Sequence, residues 1–238
     1  MKIVVINALS ALRGGGQTYL INLLSNLSEG DYEVICVVAH ANEAVFRPYA
    51  SDKVKLYVAD WASKSVIHRC LWESFVLPKM LKEWSATTYY APGGVMTTIA
   101  PKGCLSATAL RNMLPFDDAE RKRFPLFSYS RFKLWLLSSA YKVSYRLADR
   151  MVFISSYSMG EAEKKVPGVS KKGTVIPHGL NKAFLQREVA TELPKGLQVN
   201  KFYLYVSILD VYKAQKEVVS SWKKLRDQGF EYPLVLVG

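Results

Sequence analysis

Only three of the 238 residues are cysteine, an odd number. Cys36, Cys70 and Cys104 include no C-x-x-C pair. That excludes a disulfide-framed secreted module and points to reduced thiols in the cytoplasm. Their even spacing is not accompanied by any shared context, so it is not a repeat. Histidine is equally rare for a 26.8 kDa chain, at three residues, and neither His40 nor His68 has a Cys or His partner at metal-ligand spacing. No metal is expected. No apolar run approaches 18 residues, which excludes a membrane-spanning helix. Ile3 to Leu12 is broken by Asn7 and reads better as a buried strand than as a signal segment.

Acidic side chains are also in short supply, 20 Asp+Glu against 32 Lys+Arg, a formal charge of +12. Such a surplus favours an anionic partner. It concentrates in residues 111–150, which hold 9 basic and 4 acidic side chains; residues 1–110 hold 10 and 8. With 50% hydrophobic residues, the chain is long enough to bury a core without staples.

What the sequence does hold is an alternation of strands and helices. Lys2–Asn7, Tyr32–Val38, Val54–Val58, 87–90, Leu105–Leu110, 151–154 and 174–176 read as buried strands. Leu20, Leu23, Leu24 and Leu27 stripe a first helix, with Gly30 as its expected C-cap. Val66, Ile67, Cys70 and Leu71 open another, which Pro78 must break. A helix over residues 129–148 sets Phe132, Trp135, Leu136, Ala140, Val143 and Leu147 on one face, and Ser158-x-x-Glu161 fits a capping box. This predicts an α/β fold: a doubly wound, parallel-sheet Rossmann-like domain over residues 1–185. A polar, aperiodic stretch over 186–200 reads as a linker. Residues 201–238 read as the first β-α-β of a second Rossmann-like unit that is cut short. One such unit cannot bury its own faces, so exposed apolar surface and self-association are expected there.

Two turns carry candidate chemistry. Gly14-Gly15-Gly16 leads from the first strand into the first helix, where free amides and the helix N-terminus suit an anion. A dinucleotide fingerprint fits poorly, because its third glycine would fall on Tyr19 and no acidic residue ends the second strand. The alternative is an ordinary turn. Lys213, in the first turn of the helix after Phe202–Ser207, can pair with a phosphate; a solvated surface lysine is the bland alternative. Ser155, Ser156 and Ser158 read as helix caps rather than nucleophiles. Arg121, Lys122, Arg123, Phe124, Phe127, Tyr129, Arg131, Phe132, Lys133 and Trp135 interleave basic and aromatic groups. They suit an anionic membrane surface, or else an ordinary core stripe with a solvated charged side. No nucleic-acid-binding module is visible.

The ordered series KIVVINALSALRGGGQTYLINLLSNL, VFISSYSMGE, GTVIPHGLNKAF and FYLYVSILDVYKAQKEVV resembles the group 1 (family four) glycosyltransferases across nearly the whole chain. The resemblance implies a GT-B fold and a retaining hexosyltransferase that takes sugar from a nucleoside diphosphate sugar, its co-substrate, with no further cofactor. It implies a glycan or lipid-linked acceptor, in polysaccharide biosynthesis, and a cytoplasmic enzyme that sits peripherally at the inner face of the plasma membrane. It assigns Gly14, Gly15, Gly16 and Lys213 to the donor diphosphate and His178, in Pro177-His178-Gly179, to the cleft. Two departures stand out. Ala109-Leu110-Arg111-Asn112 replaces a T-x-H-D segment, so that Arg111 and Asn112 are the candidate catalytic pair, and Ile208 replaces an arginine upstream of Lys213. With most of the donor domain missing, the chain is expected to be inactive alone. The competing expectation is a non-catalytic protein that holds a polyanion or a membrane.

Overall fold

In a computed structural model, residues 1–27, 29–180 and 193–238 are described. The chain divides into two compact units, 1–181 and 182–238. The first is built on a seven-stranded parallel sheet. Its strands are β1 (Lys2–Asn7), β2 (Tyr32–Val38), β3 (Val54–Val58), β4 (Thr88–Ala91), β5 (Leu105–Leu110), β6 (Arg150–Phe153) and β7 (Gly173–Val175), in the spatial order β3-β2-β1-β4-β5-β6-β7. β1 is central: Val4 registers with Val34 on one side and with Thr88 on the other. Strands covered on both faces have no use for alternation, which is why Val5, Val37, Tyr89, Leu110 and Phe153 are all buried and the sequence runs read as continuously apolar. This is an α/β Rossmann-like fold.

The helices form two layers. α1 (Gly15–Ser25) and α2 (His40–Phe46) pack Leu20, Leu24 and Phe46 against one face of the sheet. α3 (Val66–Phe75), α4 (Leu77–Glu83), α6 (Tyr129–Leu147) and α7 (Ser156–Lys165) pack Trp72, Leu77, Leu81, Tyr141, Tyr145 and Ala162 against the other. A short α5 (Asp118–Lys122) precedes α6 and is capped by Asp117, whose carboxylate accepts from the Ala119 and Glu120 amides. Pro78 breaks the helix as expected: α3 stops at Phe75 and α4 restarts with the proline in its first turn.

Two local expectations are corrected. α1 ends at Ser25 with Asn26 as its cap, well before Gly30, which lies two residues before β2. The 155–158 capping box starts three residues earlier than expected: Ser155 accepts from the Ser158 amide at 3.1 Å, and the Ser158 hydroxyl lies 3.3 Å from the Ser155 amide. The second strand stops at Val38 as expected, and α2, which the sequence reading did not include, starts at His40, where the Asn42 side chain caps the Ala39 amide at 2.8 Å. α6 decides against the core-stripe reading of its apolar residues. Its core side is Leu134, Ser138, Tyr141, Ser144 and Tyr145, while Phe132, Trp135, Leu136, Val143 and Leu147 face outward.

The second unit contains β8 (Tyr203–Val206), α8 (Gln215–Asp227) and β9 (Leu234–Val237), with β8 and β9 paired in parallel. Trp222 packs edge-on against Tyr203 and Phe230. Leu204, Val206, Ile208, Leu209 and Val237 remain exposed, as a single β-α-β leads one to expect. Of the expected linker 186–200, residues 186–192 lie outside the described residues; 193–200 is irregular chain with no helix or strand. Among the described residues no helix is long and apolar enough to cross a membrane.

Candidate functional site

In a parallel sheet the connections leave β1 and β4 in opposite directions, which opens a crevice beyond the carboxyl ends of these two strands. There the first unit has a cavity of about 230 Å³, lined by Gly15, Gly16, Pro92, Gly93, Arg111, Asn112, Tyr141 and His178. Five of the residues singled out from sequence converge on it.

The glycine turn is held from beneath. Buried Asn42 donates to the carbonyls of Ala8 (2.8 Å) and Ala11 (3.0 Å), which fixes the chain that leads to the turn. Gly14 does not line the cavity. It takes φ +61° and ψ −146°, a conformation open to glycine and hostile to other residues, and so sets the direction in which α1 departs. Its carbonyl accepts from the amides of Gln17 and Thr18. The amides of Gly15 and Gly16 have no acceptor among the described residues, leaving two donors at the positive end of an 11-residue helix.

Arg111 follows directly on β5. Its guanidinium lies 4.3 Å from the centre of the Tyr19 ring, Nε donates to the Pro92 carbonyl at 3.0 Å and Nη1 to the Gly15 carbonyl at 3.5 Å. Tyr19 is itself fixed by a 2.7 Å hydrogen bond between its hydroxyl and that of Tyr90. Burial lowers the pKa of Arg111 from its ordinary value, while the nearby tyrosines oppose the shift. An arginine stays charged under such pressure. No carboxylate among the described residues pairs with it, so a half-buried cation faces the cavity with only π faces and carbonyls around it. The arrangement favours an anion there.

The rest of the rim comes from three further segments. Tyr141, on the inner side of α6, donates to the Gly93 carbonyl at 3.4 Å, and burial raises its pKa. A Cβ at Gly93 would lie 2.5 Å from the Ser10 hydroxyl, which would have to turn aside to admit a side chain. Asn112 is exposed and its side-chain oxygen accepts from the Leu114 amide at 3.1 Å. His178 sets its ring edge-on against Tyr19, centroids 5.5 Å apart. Partial burial on that side, and then the charge of Arg111, lower its pKa.

Sequence reasoning missed Tyr141, Pro92 and Gly93. The strand order would have found Pro92 and Gly93, since they end the strand beside β1; Tyr141 is an interior helix residue with no local mark. Lys213 lies in the second unit and is not in a helix's first turn. It ends a 3₁₀ turn (Val211–Lys213) that the Asp210 carboxylate caps at 2.7 Å, and Ala214 in the left-handed region separates it from α8. Its carbonyl accepts from the Tyr205 hydroxyl at 2.5 Å, and its Nζ lies 5.0 Å from the Tyr212 ring centre.

No protein-family model and no curated protein matches the sequence. Solved structures do match by fold. A glycosyltransferase from Rickettsia africae superposes with a TM-score of 0.61 at 12% identity, over 100% of this chain and 60% of that one. A UDP-GlcNAc 2-epimerase from Neisseria meningitidis, bound to UDP-GlcNAc, gives 0.53 at 12% identity over 99% and 65%. S. aureus MnaA in a complex with UDP gives 0.51 at 14% identity over 99% and 62%. The structural neighbours are GT-B-like. At these identities the likeness is one of fold, and the chain spans about 60–65% of the length of the neighbours it matches.

Proposed function

We propose that the protein acts in sugar transfer from a nucleoside diphosphate sugar, as a glycosyltransferase of GT-B architecture. The observation that carries this reading is the cavity beyond β1 and β4, where the free amides of Gly15 and Gly16 and the carboxylate-free Arg111 converge. When a glycosyl–phosphate bond breaks, negative charge collects on the departing diphosphate. A fixed cation and prearranged amides stabilise that charge more than they stabilise the ground state. Arg111 is assigned this role, with Asn112 beside it toward the sugar or acceptor. Positive charge then comes from protein groups. The fold neighbours support the reading in kind: one is a glycosyltransferase, and two have UDP or a UDP-sugar bound.

The finer assignments rest on the resemblance in the motifs: membership of group 1, family four, retention of configuration, a hexose donor, and a glycan or lipid-linked acceptor in polysaccharide synthesis at the cytoplasmic side of a membrane. The competing reading, a non-catalytic polyanion-binding protein, gives the cavity no diphosphate preference.

Calorimetric titration with uridine, UDP and a UDP-sugar, and with the guanosine series, tests the proposal. The expected result is tighter binding of one nucleoside diphosphate than of its nucleoside, weakened about tenfold or more in Arg111→Ala, the loss of a charge-assisted contact. Equal binding of nucleoside and diphosphate, unchanged binding by the variant, or no binding overturns it.

A further inference from the structure

The outer side of α6 is the least expected surface of the molecule. Helices of a doubly wound domain carry one apolar stripe, toward the sheet. α6 carries two. Leu134, Tyr141 and Tyr145 fill the core, and on the opposite side Phe132, Trp135, Leu136, Val143 and Leu147 are all more than half exposed. Just before the helix, Leu126 is 72% exposed and Phe127 wholly so. The same helix layer repeats the pattern on α3, where Ile67, Leu71 and Phe75, at i, i+4 and i+8, face solvent. Segment 96–99 joins the two helices: the Met96 amide donates to Ser144 on α6 at 2.8 Å, the Thr98 hydroxyl to the Glu73 carbonyl on α3 at 2.8 Å, and Ile99 adds another exposed side chain.

Charge marks out what covers this face. The segment that contributes α6 is the most basic of the chain, with 9 basic and 4 acidic residues over 111–150. The acidic groups are taken up locally: Asp118 by Arg121 and Lys165, Glu120 by Arg123, and Asp149 by Ser106. Lys122, Lys133 and Arg146 are exposed and make no ion pair among the described residues. Lys133 borders the apolar stripe on one side, and Arg146 projects among its outward residues near the end of the helix. A second copy of the chain would bring like charges together at this rim, whereas an anionic lipid surface answers both features at once: aromatic and aliphatic groups enter the acyl boundary while the flanking cations meet phosphates.

We infer that the outer face of α6, with the preceding Leu126–Phe127 tip and the neighbouring α3 stripe, seats the protein on an anionic membrane. The inference is independent of the sugar-transfer reading. α6 runs antiparallel to the strands, so its aromatic N-terminal half lies at the sheet end that also carries the Arg111 cavity.

The test is co-sedimentation of the full chain with vesicles of phosphatidylglycerol and, separately, of phosphatidylcholine. Binding to the anionic vesicles is expected, with little to the zwitterionic ones. The triple variant Phe132→Ser/Trp135→Ser/Leu136→Ser should lose at least about tenfold in partitioning, and Lys133→Glu roughly fivefold or more. All four positions are exposed, and thermal melts check that the variants remain folded. The intrinsic fluorescence blue shift on vesicle addition should shrink in Trp135→Phe. No binding by the wild type, equal binding to both lipids, or undiminished binding by the triple variant overturns the inference. So does a wild-type oligomer that the triple variant dissolves while vesicles bind neither.

Discussion

The two helix layers of the first unit cover the same sheet and meet solvent in opposite ways. α1 and α2 bury Leu20, Leu24 and Phe46, and none of their large apolar side chains is exposed. α3 and α6 bury an equivalent set and still hold aromatic and aliphatic residues outward, among them Phe75 at 65% and Trp135 at 53% exposure. Sheet packing accounts fully for the first layer and for only half of the second. The comparison teaches that an apolar stripe on a helix reports a preference for leaving water, not which neighbour it leaves water for.

Several measurements break or sharpen that contrast. The largest effects belong to the inner positions of both layers. Leu20→Ala on α1 should cost about 2–5 kcal/mol and Tyr145→Ala on α6 about 3–5 kcal/mol in urea unfolding. Leu136→Ser on the outer side should stay within about 0.5 kcal/mol. If Leu136→Ser is as costly as Tyr145→Ala, the outer stripe is core after all.

Glu73 on the inner side of α3 gives the next largest effect. Its carboxylate accepts from Asn7 at 2.9 Å and from Thr97 at 2.9 Å. Glu73→Leu strands both donors and should cost about 2–4 kcal/mol, against almost nothing for Phe75→Ser two residues on. Burial raises the pKa of Glu73, with the Asn7 and Thr97 hydrogen bonds opposing. A carboxyl whose pKa is higher folded than unfolded binds more protons in the native state, so stability should fall as pH rises above its ordinary value of 4.5. Glu73→Gln should flatten that part of the stability–pH curve, read from melts across the range. The smallest effect concerns His178, whose lowered pKa leaves it neutral above its ordinary value of 6.5. Protonation adds positive charge beside Arg111, so diphosphate affinity should rise as pH drops below 6.5, and His178→Gln should remove that rise.

Much of this was legible in the sequence. The buried strands were readable because parallel strands are apolar throughout, and β1, β2, β3 and β5 fall where the runs placed them. The glycine turn stood out at the end of the first strand, and Arg111 through the motif resemblance. The direction of the α6 stripe was left open. Its core side includes Ser138 and Ser144, chosen for close approach and for the Met96 hydrogen bond rather than for hydrophobicity, so the richer apolar set looked like the core. Tyr141 was hidden for a related reason: it joins the cavity only because the 92–96 segment folds back onto α6. The start of α7 slipped because side chains rather than periodicity decide it, at Ser155.

The account turns on the small hollow beyond β1 and β4. A crystal structure of the chain with UDP bound tests it most directly. The account predicts the diphosphate against the amides of Gly15 and Gly16 with the Arg111 guanidinium on its oxygens; UDP seated elsewhere, with Arg111 still stacked on Tyr19 and contacting no phosphate, would contradict it.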